Sequence, residues 1–109
     1  MDELLEVLER WFPRSRSVRT GEVTVGTTIV RMPQMYGTIV YIKAQVTNAG
    51  NVYVGRASVA VRGGTTADGV GFELEPGALT PPIPIEDLED LYLISDTASQ
   101  EITYLVYGG

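Results

Sequence analysis

The sequence lacks both cysteine and histidine. Without cysteine, disulfide bonds and thiolate–zinc sites are excluded, and the redox compartment is left open. Without histidine, the commonest general base and the commonest nitrogen ligand for transition metals are missing. No apolar run approaches the roughly 20 residues that span a bilayer, and the chain opens on Asp2 and Glu3 rather than on a basic segment with an apolar block. We therefore expect no membrane partner, no secretory signal, and synthesis in a cytoplasm.

Positive charge is scarce beyond the first 19 residues. The net charge is −6, and residues 20–109 contain ten acidic but only four basic side chains. An acidic body repels a phosphate backbone, so we expect no nucleic-acid partner. The length of 109 residues is enough for one domain with a single hydrophobic core.

Residues 2–12 have the periodicity of an amphipathic helix that ends before Pro13. A helix of about three turns is marginal on its own in water, so its apolar stripe requires a partner. The stripe comprises Leu4, Leu5, Val7, Leu8, Trp11 and Phe12.

An arginine-rich arm follows the predicted helix. Arg14, Arg16 and Arg19, together with Arg10, place four of the eight basic residues within ten positions. The arm either binds an acidic partner surface or serves as a solvated linker. We divide the chain into an N-terminal helix and arm, residues 1–19, and a β-domain, residues 20–109.

The remaining chain predicts about eight short strands separated by turn residues. The clearest signal is the alternation of Val40, Ile42, Ala44 and Val46, followed by a turn at residues 48–51 and a strand at Asn51–Val54. We interpret this stretch as a hairpin in which Asn48, Gly50 and Asn51 tolerate positive φ or bond to their own backbone. The other predicted strands are Glu22–Arg31 with a bend at Gly26, Ala57–Arg62, Phe72–Leu74, a proline-rich edge strand at Pro81–Ile85, Leu91–Ile94 and Glu101–Tyr107.

Regular strand and turn spacing without βα alternation predicts an all-β fold. We expect an antiparallel β-sandwich of the jelly-roll type, with a smaller Greek-key sandwich as the alternative. The Glu75-Pro76-Gly77 stretch fits a type II turn.

The sequence offers few groups for chemistry. The acidic stretch Glu86–Asp90 could hold a cation, but it lacks the ligand spacing of a calcium loop and fits a solvated helical turn. Glu73 and Glu75 would complete a glycosidase pair only if a cleft separated two carboxylates, which no pattern indicates. No histidine activates a serine or threonine, and Lys43, the sole lysine, falls on the water-facing side of its strand. We assign no catalytic, cofactor-binding or metal-binding residue and expect no enzyme.

Tyrosines provide a possible binding surface. Tyr41 and Tyr53 alternate with the valines of their strands, so both are predicted to face outward. Exposed tyrosines suit a protein interface or a sugar-binding surface. Ordinary cross-strand pairing on a half-exposed sheet is the other explanation.

The succession of turns and strands resembles a known group of proteins. It is carried by Asn48-Ala-Gly-Asn-Val-Tyr-Val-Gly55, Gly71-Phe-Glu-Leu-Glu-Pro-Gly77, Ile83-Pro-Ile-Glu-Asp-Leu88, Leu91-Tyr-Leu-Ile-Ser95 and Ile102-Thr-Tyr-Leu-Val106. Over residues 22–107 this pattern is similar to small β-sandwich virion proteins of tailed bacteriophages, among them head-decoration and head-fibre proteins. The resemblance implies a structural role, commonly as an oligomer on the particle surface.

These observations lead to one hypothesis and two alternatives. The hypothesis is a non-enzymatic capsid decoration protein, located in the virion, that forms a homo-oligomer, with a trimer favoured, and binds the major capsid protein or other virion proteins. The alternatives are a head–tail connector or tail component, and a carbohydrate- or ligand-binding β-sandwich module. The residues predicted to contact the partner are Leu4, Leu8, Trp11, Phe12, Arg14, Arg16, Arg19 and Tyr53.

Overall fold

The computed structural model describes residues 18–108 of the chain. Within this range the protein is all-β, with two antiparallel four-stranded sheets and one short 3₁₀ helix at Leu88–Asp90. The predicted N-terminal helix lies outside the described residues. The predicted contact residues Leu4, Leu8, Trp11, Phe12, Arg14 and Arg16 lie outside them as well.

Eight strands form the two sheets. Sheet A has the order β1-β8-β3-β6, and sheet B has the order β2-β7-β4-β5. The bounds are β1 Val18–Val25, β2 Val30–Arg31, β3 Ile39–Ala44, β4 Val52–Gly55, β5 Phe72–Leu74, β6 Ile83–Pro84, β7 Tyr92–Ser95 and β8 Gln100–Tyr107.

The core lies between the inner faces of the two sheets. Strand alternation supplies it, because every second side chain points inward. Sheet A contributes Val40, Ile42 and Ile102 and sheet B contributes Val52 and Leu93, all with no exposed surface. Each fully buried aliphatic side chain of this kind stabilises the fold by about 1.5–3 kcal/mol.

Several predicted features are confirmed. The chain bends at Gly26, where β1 of sheet A ends at Val25 and β2 of sheet B begins at Val30. The proline-containing β6 is an edge strand, where a missing N–H does no harm. Gly77 has a φ of +86°, and the N–H of Ala78 donates to the carbonyl of Glu75 at 2.9 Å, as the predicted turn requires. The acidic stretch contains the 3₁₀ helix, which the Asp87 side chain caps.

The predicted hairpin at Val46–Gly55 is wrong. β3 pairs with β8 and β6 in sheet A, whereas β4 pairs with β5 and β7 in sheet B, so the intervening segment crosses between the sheets. The inward alternation stops at Ala44, and Val46 is 71% exposed. Periodicity located the two strands correctly but did not show that they belong to different sheets.

Side-chain hydrogen bonds between this crossing segment and the start of β8 hold it in place. Gln100 Oε1 accepts from the N–H groups of Ala49 and Gly50, and the Asn48 side chain bonds both backbone groups of Glu101. Asn48, Gly50 and Asn51 all have a negative φ, so none of them uses the tolerance for positive φ that the hairpin interpretation invoked. Gly50 is needed for space instead, since a Cβ there would lie 2.1 Å from Thr97 Oγ1.

The predicted strand at Ala57–Arg62 is also wrong. Residues 56–71, which we call the covering loop, make a single parallel bridge between Ala60 and Val70. Asp68 Oδ2 accepts from the backbone N–H and the hydroxyl of Ser58 at 2.8 and 2.7 Å. Val59 packs close to the β4 end, where a Cβ on Gly55 would lie 2.7 Å from Val59 Cγ2.

Candidate functional site

A groove of about 570 Å³ lies on the outer face of sheet A. We call it the sheet A groove. Its size falls in the range of about 300–1,000 Å³ that is typical of ligand-binding pockets. It is lined by Thr20, Gly21, Glu22, Tyr41, Lys43, Leu79, Thr103, Tyr104 and Leu105.

Strand register builds the groove from rows of side chains across three strands. Thr20 of β1 is paired with Leu105 of β8, and Leu105 is paired with Tyr41 of β3. One step along, Glu22, Thr103 and Lys43 form a second row in the same way. These positions alternate with the buried Val40, Ile42 and Ile102, so they face away from the core.

An apolar cluster adjoins the groove on the same outer face. Leu105 and Tyr107 pack together with the half-buried Val18 and Tyr41. Leu105 is only 9% exposed and Tyr107 only 1% exposed. The outer face of sheet A therefore has a small apolar cluster of its own, apart from the core between the sheets.

The groove has the composition of a binding surface. Leu79, Tyr41 and Leu105 provide apolar contact area, while Glu22 and Lys43 place one charge of each sign at its border. A surface of this composition suits an amphipathic partner, whose apolar side packs inward and whose polar side meets the charges. Among residues 18–108, no three acidic side chains converge as metal ligands would.

The outer face of sheet B is occupied by the covering loop. Tyr53 faces away from the core, as predicted, but it is 1% exposed. Its hydroxyl donates to Glu73 Oε2 at 2.7 Å, and Arg62 of the covering loop pairs with Glu73 Oε1. The expected exposure of Tyr53 is therefore wrong, because its ring is buried and its hydroxyl is bonded to Glu73. A contact between Tyr53 and a partner stays a prediction.

The hydrogen bond between Tyr53 and Glu73 shifts the pKa values of the two groups in opposite directions. Desolvation, with the bond to Glu73, raises the pKa of Tyr53 above 10.0. The Tyr53 hydroxyl, helped by Arg62, lowers the pKa of the Glu73 carboxyl below 4.5. Both shifts favour the same arrangement, a neutral phenol that donates to an ionised carboxylate.

Arg19 is the other predicted contact residue that lies within the described range. It belongs to β1 rather than to the arm, and it is paired with Val106. Its guanidinium donates to the backbone carbonyls of Tyr36 and, at 3.1 Å, Gly108. These bonds join the start of β1 to the segment before β3 and to the residue after β8, so the guanidinium has a structural role.

The groove residues Thr20, Glu22, Leu105 and Leu79 were not predicted as a site. One signal in the sequence does point to them. Strand β8 carries apolar side chains on both faces, with Ile102 and Val106 facing inward and Leu105 outward. A strand that is apolar on both faces is typical of a sheet covered on both sides. The partner strands of β8, and therefore the other groove residues, follow only from the tertiary structure.

Comparisons with known proteins assign this chain to no family. No protein family and no curated protein matches the sequence. One similar solved structure is IMPa from Pseudomonas aeruginosa in complex with an O-glycopeptide, at 17% identity and a TM-score of 0.49. The match covers 86% of this chain and only 12% of the IMPa chain. Within residues 18–108 no helix has the length and apolar character needed to span a bilayer.

Proposed function

We propose that this chain is a non-enzymatic structural protein of a tailed-phage virion, a capsid decoration protein that forms a homo-oligomer and binds the capsid surface. The non-enzymatic part of the proposal rests on the missing histidine and cysteine. The structural part rests on the sequence resemblance and on one feature of the fold, the open edge of sheet A.

We infer that the two sheets form an eight-stranded jelly roll. The orders β1-β8-β3-β6 and β2-β7-β4-β5 support this assignment. Strands that follow one another in the chain alternate between the sheets except for β4 and β5, as expected when a long folded hairpin is rolled into two sheets. Jelly rolls are common in viral capsid proteins and also in lectins, so the fold is compatible with the leading proposal and with one alternative.

The edge strand β1 carries the proposal of self-association. All eight of its residues pair with β8 on one side. Within residues 18–108 no strand pairs with its other side. A long open edge presents unpaired N–H and C=O groups to another chain. Val70 and Phe72, 49% and 54% exposed near β5, add apolar surface at the border of sheet B.

The proposed contact with the particle uses the N-terminal segment. Leu4, Leu8, Trp11 and Phe12 would provide the apolar contact with a neighbouring subunit or the major capsid protein. Arg14 and Arg16 would add electrostatic complementarity, which mainly accelerates association and sets the register.

Binding to purified undecorated heads tests the proposal. We expect saturable binding, and mass spectrometry of intact virions should find hundreds of copies. A count of about six or twelve would instead indicate a ring-shaped connector or tail component. No binding at any maturation stage, and no copies in virions, would refute a virion role.

A charge reversal tests the arm in the full-length chain. We expect Arg16→Glu to slow association with heads, and the effect should fade at high salt. Arg56→Glu, which makes the same change at an exposed position of the body, is the matched control. Equal binding by both variants would contradict the proposed use of the arm.

A second candidate function is a carbohydrate- or ligand-binding module. The observation that favours it is the position of Tyr41 in the sheet A groove beside polar groups. A glycan array tests this candidate with the wild type and the Tyr41→Ala variant. Hits that disappear in the variant would support it, and an array without hits would remove it.

A further inference from the structure

We propose that β1 of one chain pairs with β1 of a second copy, antiparallel and about a two-fold axis that passes beside Gly21. This inference rests on the self-association in the proposed function, and it specifies the edge, the partner and the register. The pairing joins two copies of sheet A into one continuous sheet. It concerns the purified protein and can be tested without a phage particle.

The orientation of the backbone groups in sheet A shows which residues of β1 are available. The N–H of Gln45 donates to the carbonyl of Glu101 at 3.1 Å, so Glu101 directs its backbone groups toward the β3 side. Successive residues of a strand direct these groups to opposite sides, so the even-numbered residues of β8 direct theirs toward β1. Gly21 lies opposite Tyr104, and the odd-numbered residues of β1 therefore bond to β8.

The even-numbered residues of β1 direct their N–H and C=O groups at the open edge. These residues are Val18, Thr20, Glu22 and Thr24. The last three are exposed, and within residues 18–108 no strand pairs with this side of β1. The edge therefore presents a regular ladder of donors and acceptors, which another strand can complete.

One register uses the whole ladder. When Gly21 lies opposite Gly21 of the second copy, Thr20 lies opposite Glu22 and Val18 lies opposite Thr24. Each edge residue then faces another edge residue, as the bonded pairs of an antiparallel ladder require. An axis at Glu22 would instead set two carboxylates directly opposite each other, which is unfavourable. An axis at Thr20 would leave Thr24 without a partner from β1.

Gly21 suits a position on the two-fold axis. Glycine inside a strand is often found where another backbone approaches closely. The two Gly21 residues form a non-hydrogen-bonded pair, in which the Cα atoms lie about 4.5 Å apart. On the inner face Tyr104 lies over this point, because a Cβ on Gly21 would overlap the Tyr104 ring and hydroxyl. The dimer therefore has an aromatic ring over each glycine, an arrangement that compensates for glycine in sheets.

Charge substitutions at Thr20 test the register in the full-length chain. Thr20 is exposed, so a charged side chain there is compatible with folding, which circular dichroism checks. Thr20→Glu places a like charge opposite Glu22 twice in each dimer and should raise the dimer Kd about tenfold. Thr20→Lys should lower the Kd about threefold. Sedimentation velocity at low salt measures both values. A wild type that stays monomeric or forms a trimer, or equal Kd values for the two variants, would overturn the inference.

The matched controls are Thr24→Glu and Thr24→Lys. Thr24 is also an exposed residue of β1, but in the proposed register it lies opposite the uncharged Val18. These two variants should differ from each other in Kd by less than about twofold. A difference as large as that between the Thr20 variants would show that net charge, and not the register, controls association, and it would overturn the inference.

Amide hydrogen exchange measured by NMR tests the edge directly. The N–H groups of Thr20, Glu22 and Thr24 should become protected as the protein concentration rises through the Kd. Those of Gly21 and Val23, which bond to β8, should be protected at every concentration. Edge N–H groups that exchange rapidly throughout would show that β1 stays open. Protection in a dilute monomer would show that a segment of the same chain pairs with β1. Either result would overturn the inference.

Binding to undecorated heads separates this inference from the proposed function. A protein that stays monomeric and still binds heads saturably would overturn the β1 pairing and leave the decoration role in place. A dimer with the expected response to Thr20 substitution that binds no heads would support the pairing and refute the decoration role.

Discussion

Tyr41 on β3 and Tyr53 on β4 both lie at outward-facing positions of their strands, but the two side chains differ in burial. Each follows a buried valine and faces away from the core. Tyr53 is enclosed by the covering loop and bonded to Glu73, whereas Tyr41 lines an open groove. The same local pattern therefore gave a buried, hydrogen-bonded tyrosine on sheet B and a half-buried tyrosine beside a groove on sheet A.

This difference shows what alternation can and cannot establish. A period of two assigns a side chain to one face of a sheet, but burial depends on whether another segment packs on that face. On sheet B the segment is 56–71, in which sequence patterns predicted a strand at Ala57–Arg62. The following experiments test how far the two faces differ.

The largest expected effect comes from truncating the two tyrosines. Tyr53→Ala should lower the free energy of unfolding by about 3–5 kcal/mol, because it leaves a cavity under the covering loop. Tyr41→Ala should cost about 1 kcal/mol or less, because water can fill the space. Urea denaturation of both variants measures the difference. Equal losses would show that the two faces are covered to the same degree.

Removal of one hydroxyl is a finer test. Tyr53→Phe should cost about 1 kcal/mol, since the buried bond to Glu73 is lost while the ring remains. Tyr41→Phe is the matched control and should be close to neutral. A neutral Tyr53→Phe would mean that burial of the ring, and not the bond, holds the loop in place.

Acid pH should weaken the packing of the covering loop on sheet B. The folded-state pKa of Glu73 is lowered, so its contribution to stability is complete above pH 4.5 and is lost as the pH falls through the folded-state pKa. The difference in unfolding free energy between the wild type and Glu73→Gln should therefore shrink on acidification. Urea titrations across this range measure it, and Glu75→Gln controls for the change in net charge. A difference that stays constant would contradict the assigned role of Glu73.

The smallest effect is expected for Arg62→Ala. Its ion pair with Glu73 lies at the surface, and the Arg62 side chain is 74% exposed. Exposed pairs contribute little because water and salt screen them. The change in unfolding free energy should lie near the error of the measurement at moderate salt. A loss as large as that of Tyr53→Phe would show that Arg62 itself closes the loop over Tyr53.

The strands were more predictable than their partners. Val40, Ile42 and Ala44 identified β3, and the alternation within residues 101–107 identified β8, because inward positions repeat locally. The supposed hairpin failed because the segment after Ala44 is held by Gln100 and Glu101, which are distant in sequence. The groove was missed for the same reason, since Thr20, Leu105 and Tyr41 become neighbours only through register.

The sequence by itself determined the all-β class, the bend at Gly26 and the turn at Gly77. These features depend on local properties: side-chain periodicity, backbone freedom and the missing N–H of proline. Only the tertiary structure decided that β3 and β4 lie in different sheets, that Tyr53 is buried while Tyr41 lines a groove, and that β1 leaves an open edge. Those outcomes depend on contacts between segments far apart in the chain, which no local pattern encodes.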